Sequence, residues 1–244
     1  MKRADVIESR LVNGKDVTFV FVGDSITYGR NFCEADETYV AVFAQLMAKK
    51  YPDASVYRYD GIYESEMHPI HTYEKFQISK GKKGNIHVIR SGVGGNTVAR
   101  ANERFFNYTG ILASGTCSDF IFTMFGINDS IKSDPQKYAD EDTFEARYRA
   151  LLGKLRFTEP QAELIVMSAT TFYDRINEYV KRTYKICREE RIPIIDLFSL
   201  WQDHYDPSAE NFGHGDWLVA DACHPSPTAS RVMAEKIFND FFAE

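Results

Sequence analysis

Short apolar runs alternate with helix-length segments along this 244-residue chain, and this alternation restricts the fold more than any other feature. Five runs have the composition of strands buried on both faces: residues 17–22, 86–90, 120–125, 163–167 and 193–197. Helices are predicted near residues 38–50, 97–108, 140–156, 174–190 and 226–242. This alternation indicates right-handed βαβ units and a parallel sheet. We therefore predict an α/β fold, a single three-layer α/β/α domain over residues 1–244, with a five-stranded parallel sheet in flavodoxin-like order.

Two segments follow this pattern poorly. Turn-forming dipeptides interrupt residues 52–85, so we predict an irregular insertion there, with a short strand at 56–59. Residues 203–219 are rich in histidine, glycine, aspartate and aromatic side chains. Loops on such scaffolds often carry function, but they also vary without consequence.

The composition is that of an ordinary globular protein, with 44% hydrophobic and 26% charged residues. The net charge of −6 argues against a nucleic-acid partner or an anionic membrane surface. The charged amino terminus lacks the apolar core of a signal peptide, and the four cysteines form no CxxC pair. We therefore expect a cytoplasmic protein with reduced thiols. His68 and His71 have loose metal-ligand spacing without a third ligand, so we expect no metal site there.

The first apolar run ends abruptly at Gly23-Asp24-Ser25. A serine at the carboxyl end of a buried strand lies where open α/β sheets bind their ligands. Its backbone N–H begins the next segment and can bind an anion. Asp24 and Ser25 are also common helix caps. On this segment alone, a catalytic serine and a simple cap are equally good interpretations.

Three further segments, 91–97, 126–129 and 221–225, fall at the same edge of the predicted sheet. Each has an ordinary explanation by itself. Gly92 and Gly94 suit tight turns with positive φ, and their segment lacks the G-x-G-x-x-G pattern of dinucleotide loops. The second segment contains an asparagine and an aspartate, which are frequent in turns and caps. The third holds an aspartate and a histidine three positions apart, which suit a solvated surface ion pair.

The order and spacing of the four segments together are more specific. They resemble the four blocks of the SGNH hydrolases, also called GDSL-like lipases and acylhydrolases: Gly23-Asp24-Ser25-Ile26, Gly95 before Asn96-Thr97, Gly126-Ile127-Asn128-Asp129, and Asp221-Ala222-Cys223-His224-Pro225. The resemblance spans residues 17–225. In the second block Gly92, Gly94 and Gly95 compete, and we choose Gly95 for the Asn-Thr pair that follows it. The resemblance implies an α/β/α fold and ester hydrolysis of a small-molecule substrate without a cofactor.

The resemblance also implies a catalytic triad and an oxyanion hole. Ser25 is the implied nucleophile, His224 the base that takes its proton, and Asp221 the partner of the other imidazole nitrogen. The backbone N–H groups of Ser25 and Gly95 and the side-chain amide of Asn128 are the implied donors to the oxyanion. An amide suits this role because it donates hydrogen bonds, whereas an ionised carboxylate donates none.

Other functions remain open at this point. A conventional α/β-hydrolase is disfavoured because Thr27 stands where its G-x-S-x-G elbow needs glycine. A non-catalytic binding module on the same fold would need no general base such as His224. The substrate is expected to be a small acyl ester such as an O-acetylated carbohydrate, with lysophospholipids and thioesters as alternatives. Four aromatic residues of the chain suit either a sugar site or the core: Trp201, Tyr205, Phe212 and Trp217.

Overall fold

The structure is a computed structural model that describes residues 2–29, 32–62, 72–170, 176–219 and 223–243, without the side chain of Phe212. Its described residues form seven strands: β1 Val17–Gly23, β2 Ser55–Ile62, β3 Thr72–Ser79, β4 Asn85–Gly92, β5 Phe120–Met124, β6 Glu163–Met167 and β7 Ile194–Ile195. They also form ten α-helices: α1 Arg3–Val12, α2 Ser25–Tyr28, α3 Tyr39–Lys50, α4 Val98–Glu103, α5 Gly110–Ser114, α6 Glu141–Thr158, α7 Ile176–Glu190, α8 Leu197–Asp203, α9 Glu210–Gly213 and α10 Pro227–Phe242. Short 3-10 helices cover Phe105–Asn107, Asn128–Ser130 and Gly215–Trp217.

All seven strands belong to one sheet, in the order β3-β2-β4-β1-β5-β6-β7. Neighbouring strands run parallel, except for the antiparallel pair of β2 and β3. The five predicted strands correspond to β4-β1-β5-β6-β7, so the α/β class and the flavodoxin-like order are confirmed. In the described part of the chain the sheet has seven strands rather than five, because β2 and β3 extend it beyond β4.

The two additional strands lie at 52–85, where we expected an irregular insertion with a short strand at 56–59. Strand β2 includes that short strand and is longer, and β3 was not predicted. Strand β2 is almost wholly buried although it contains Arg58 and Asp60. The Nε atom of Arg58 lies 3.1 Å from Asp60 Oδ1, and Nη2 of Arg90 on β4 lies 2.8 Å from Asp60 Oδ2. Ion pairing makes the burial of these charges tolerable. Residues 63–71, which include His68 and His71, lie outside the described part of the chain.

Aromatic side chains fill the layer between one face of the sheet and helices α3 and α10. Phe21 of β1 stacks on Phe122 of β5 with ring centroids 4.5 Å apart, and both rings contact Phe43 of α3. Phe241 of α10 contacts Phe122 from the same side. The opposite face packs against α6, where the hydroxyl groups of Thr123 and Tyr148 lie 2.9 Å apart. The central strands are therefore covered on both faces, which is why β1 and β5 consist mostly of apolar residues.

Candidate active site

Three loops leave the carboxyl edge of the sheet side by side. The strand register places Gly23 of β1 opposite Gly92 of β4 on one side and Met124 of β5 on the other. The segments that follow these strands carry Ser25, Gly95 and Asn128. This edge is the usual ligand-binding position of an open α/β sheet.

Ser25 is the first residue of the short helix α2, and Asp24 is its N-cap. The Asp24 carboxylate accepts a hydrogen bond of 2.9 Å from the backbone N–H of Ile26. Ser25 is half-buried, whereas Asp24 is almost completely buried. The capping interpretation therefore holds for Asp24, and it leaves the Ser25 hydroxyl at the surface of the edge.

Helix α2 lies directly on the ends of β1 and β4. A Cβ atom on Gly92 would lie 2.2 Å from the backbone nitrogen of Tyr28, and one on Gly23 would lie 2.1 Å from Oγ1 of Thr27. Gly92 is thus required for this close approach and is part of strand β4. Neither Gly92 nor Gly94 has a positive φ, so our interpretation of both as positive-φ turn residues was wrong. Gly95 has a φ of 65°, a conformation that favours glycine.

His224 approaches Ser25 from the segment that precedes α10. Its Nε2 atom lies 2.8 Å from the Ser25 Oγ atom, within hydrogen-bond distance. The carbonyl of His224 accepts the N–H of Val219 at 3.0 Å, and Leu218 and Pro225 form an isolated antiparallel bridge. These bonds close the base of the loop that carries the histidine. Asp221 lies outside the described residues, so its expected contact with His224 stays a prediction.

Asn128 is buried, and its side chain reaches across to the loop that follows β4. Its Nδ2 atom donates a 3.0 Å hydrogen bond to the carbonyl of Asn96. The side chain of Asn96 is itself held, since it donates to the hydroxyl of Tyr108 at 3.0 Å and accepts from Nη2 of Arg104 at 2.5 Å. An amide nitrogen carries two hydrogens. One of them fixes the loop, and the other can serve a substrate oxygen.

Asp129, to which the sequence interpretation gave no role, forms a second connection between the same two loops. Its carboxyl oxygens lie 3.1 and 3.4 Å from the backbone nitrogen of Val98, the first residue of α4. Burial is the main reason that the pKa of Asp129 is raised to about 7, and the Asp24 carboxylate acts in the same direction. The pKa of Asp24 is also raised to about 7 by burial. Two buried carboxyl groups therefore lie beneath the edge.

Arg90, also missed from the sequence, connects β4 to the helix of Ser25. Its guanidinium group lies 5.7 Å from the ring centroid of Tyr28 in α2, a cation–π contact. Its Nη1 atom donates to the Oγ1 atom of Thr38, the N-cap of α3, at 3.2 Å. Local sequence patterns cannot reveal these contacts because they join three separate segments.

The aromatic residues proposed for a sugar site divide between core and surface. Trp201 is fully buried and packs edge-to-face against Trp217, which is 8% exposed. Tyr205 is exposed and packs closely over Gly213. Phe212 has no described side chain. Within the described residues, only Tyr205 of this set presents a large exposed aromatic surface.

No group of three or more histidine, cysteine, aspartate or glutamate side chains is arranged to hold a metal ion in the described ranges. None of the described helices combines the length and apolar character needed to cross a bilayer.

The chain is similar to one protein family and to several solved structures. The family model of the GDSL-like lipases/acylhydrolases matches residues 19–237. An acetyl xylan esterase, AlAXEase, superposes with a TM-score of 0.64 at 18% identity, over 91% of this chain and 98% of that chain. A family 3 carbohydrate esterase of Clostridium thermocellum gives a TM-score of 0.61 at 14% identity, over 92% of this chain and 94% of the other. A two-domain esterase active on acetylated mannans superposes with a TM-score of 0.62 at 18% identity, over 98% of this chain and 52% of that chain. None of the curated proteins matches this sequence.

Proposed function

Because this chain belongs to the family of GDSL-like lipases/acylhydrolases and is therefore a hydrolase of ester bonds, we propose that Ser25 is its nucleophile and that it removes small acyl groups. The observation that carries the proposal is the 2.8 Å distance between Ser25 Oγ and His224 Nε2. A serine hydroxyl becomes an effective nucleophile only when a base takes its proton. His224 is the base that lies within reach of Ser25.

The mechanism proceeds through an acyl-enzyme. Ser25 Oγ attacks the ester carbonyl carbon while its proton passes to His224 Nε2. The imidazolium then donates this proton to the departing alcohol oxygen, and the carbon–oxygen bond breaks. Water attacks the acyl-enzyme with the same histidine as base, which releases the carboxylic acid and restores the hydroxyl. Asp221 is the proposed partner of the other imidazole nitrogen.

The oxyanion of each tetrahedral intermediate is proposed to lie among three donors: the N–H groups of Ser25 and Gly95 and the Asn128 amide. The strand register supports this grouping, since the three loops leave adjacent strands. The hydrogen bond from Asn128 to Asn96 supports it further, because it fixes the amide relative to the loop of Gly95. Donors that are fixed before the reaction pay no reorganisation cost when the charge develops.

The proposed substrate is an acetyl ester of a carbohydrate. Its support is the likeness to an acetyl xylan esterase, a family 3 carbohydrate esterase and an esterase active on acetylated mannans. Among Trp201, Tyr205 and Trp217, the ring of Tyr205 is the exposed one, and we propose it as the ring that stacks on the sugar.

A fluorophosphonate probe and an ester panel test these assignments. We expect the probe to label Ser25, and hydrolysis to be fastest for acetyl esters and to fall with acyl length. Ser25→Ala should abolish labelling and turnover, whereas Ser9→Ala, which removes an exposed hydroxyl on α1, should change neither. Labelling of another serine refutes the nucleophile, and a preference for long acyl chains refutes the acetyl substrate. A folded protein that is neither labelled nor active refutes the proposed nucleophile and favours a binding module on this fold.

A further inference from the structure

The imidazole of His224 is covered on one face by the phenyl ring of Phe32. The two ring centroids lie 3.4 Å apart, and the ring planes differ by 7°. The rings are thus stacked face to face at van der Waals distance. Aromatic pairs generally prefer offset or edge-to-face arrangements, so this direct overlap needs a structural cause.

We attribute this overlap to the hydrogen bonds of Phe32 and Cys33, two residues that lie between α2 and α3. The N–H groups of Phe32 and Cys33 both donate to the carbonyl of Gly29, each at 3.0 Å. The Cys33 thiol donates to the carbonyl of Pro225 at 3.5 Å, and its sulfur also lies 3.5 Å from the hydroxyl of Ser230 in α10. The connection between α2 and α3 is therefore attached both to the helix of Ser25 and to the segment of His224.

The stack restricts rotation of the imidazole. Any rotation about the Cβ–Cγ bond of His224 would drive one edge of the ring into the phenyl group. The ring is therefore held in the plane that directs Nε2 at Ser25 Oγ, 2.8 Å away. This restraint acts on the ring face, in contrast to the restraint expected from Asp221, which acts on the ring edge.

The stack also distinguishes the two protonation states of His224. The face of a phenyl ring carries negative potential and attracts a cation. A histidine that acts as general base is neutral before it takes the serine proton and an imidazolium afterwards. This attraction is therefore greater in the transition state than in the resting enzyme, which is the condition for catalysis. The other described titratable groups of the surrounding segments are Asp24, Tyr28, Cys33, Glu34, Asp36, Glu37 and Cys223, and the charges of Glu37 and Arg90 both act on Cys33. Burial raises the pKa of the Cys33 thiol, which stays neutral near pH 7.

We propose that Phe32 is a positioning residue that fixes the plane of the His224 imidazole and stabilises its protonated form. This inference rests on the proposed function, in which His224 is the general base.

The test replaces Phe32 by leucine, which is apolar but has no aromatic face, and by tyrosine, which keeps the face. For Phe32→Leu we expect kcat on p-nitrophenyl acetate to fall about 10-fold with little change in KM, because the lost interaction belongs to the transition state. We expect Phe32→Tyr to recover most of this loss. Phe106→Leu is the matched control, since it makes the same substitution at an exposed site and should have no effect.

A direct NMR titration of the His224 ring separates this inference from the proposed function, because it needs no turnover. In Phe32→Leu we expect the titration midpoint to move to lower pH by about half a unit, which corresponds to the free energy of a partly exposed cation–π contact. In Phe32→Tyr we expect the midpoint to return to the wild-type value. An unchanged midpoint in Phe32→Leu overturns the inference. A shifted midpoint in a protein that hydrolyses no ester leaves the contact established and refutes the proposed function instead. Thermal unfolding of each variant identifies any loss of fold.

Discussion

Replacing Asp129 by asparagine is expected to remove a pH dependence of stability that originates beneath the proposed oxyanion hole. The Asp129 side chain is completely buried, and both carboxyl oxygens lie near the N–H of Val98. Asparagine has nearly the same shape and keeps an oxygen acceptor for that N–H, but it does not ionise. The substitution therefore changes the titration of the site and retains the hydrogen bond.

The magnitude follows from the pKa of Asp129, which is about 7 in the folded protein against an ordinary value of 3.8. Between these two values the folded protein holds a proton that the unfolded chain has lost. Stability therefore decreases as pH rises, by about 1.4 kcal/mol for each pH unit. The contribution is fully present below pH 4 and is lost above pH 7, with a total on the order of 4 kcal/mol.

The assay is urea unfolding of the wild type and Asp129→Asn at several values between pH 5 and pH 8. We expect the free energy of unfolding of the variant to rise relative to wild type from pH 5 to pH 7 and then to remain constant. Asp203→Asn, at an exposed position on α8, supplies the control for removal of a carboxylate. If the wild-type and Asp129→Asn curves are parallel over this range, Asp129 is already ionised at pH 5 and the reasoning fails.

Two further predictions concern the catalytic edge. Asn128→Ala should lower kcat by about 10²–10³-fold with little change in KM. Asn128→Asp should lower kcat at least as much, because an ionised carboxylate repels the oxyanion. If kcat is unchanged and Tm is lower, Asn128 has a structural role only. Gly92→Ala should lower Tm and slow fluorophosphonate labelling, because the new Cβ would lie 2.2 Å from the backbone nitrogen of Tyr28. Gly153→Ala on α6 is the control, since its new Cβ would have no atom within 4 Å, and it should lower neither Tm nor the labelling rate. If the two substitutions have equal effects, the close packing at Gly92 is not the cause.

The elements of this fold that could be predicted from the sequence are those specified by local composition. Strand β1, a mostly apolar run, and the amphipathic helix α6 are of this kind, since the pattern within a short window identifies each one. The alternation of strand and helix segments along the chain then predicted a parallel sheet and the edge of that sheet where the motifs meet. The prediction of residues 97–108 as one helix was only partly right, because the chain there forms α4 and a separate 3-10 helix.

Strand β2 was predicted only in part, as a short strand at 56–59 within an irregular insertion. Its second half contains Asp60 followed by Gly61, a turn-forming dipeptide, yet Asp60 is buried, as is Arg58. What makes their burial possible is Arg90, which lies 30 positions further along the chain and pairs with Asp60. The contacts of Asp129 with Val98 and of Phe32 with His224 were hidden for the same reason. Sequence motifs identified residues of the proposed site, but not the contacts that hold them in place.

The hydrogen bond between Ser25 and His224 joins residues 199 positions apart, and this separation has a consequence for synthesis of the protein. A ribosome adds about 5–20 residues per second, so roughly 10–40 s pass between the incorporation of the two side chains. Throughout that interval a nascent chain contains the proposed nucleophile without its base. Under the proposed mechanism, a ribosome-bound chain therefore cleaves no ester until the segment ahead of α10 has been made and has docked against Cys33.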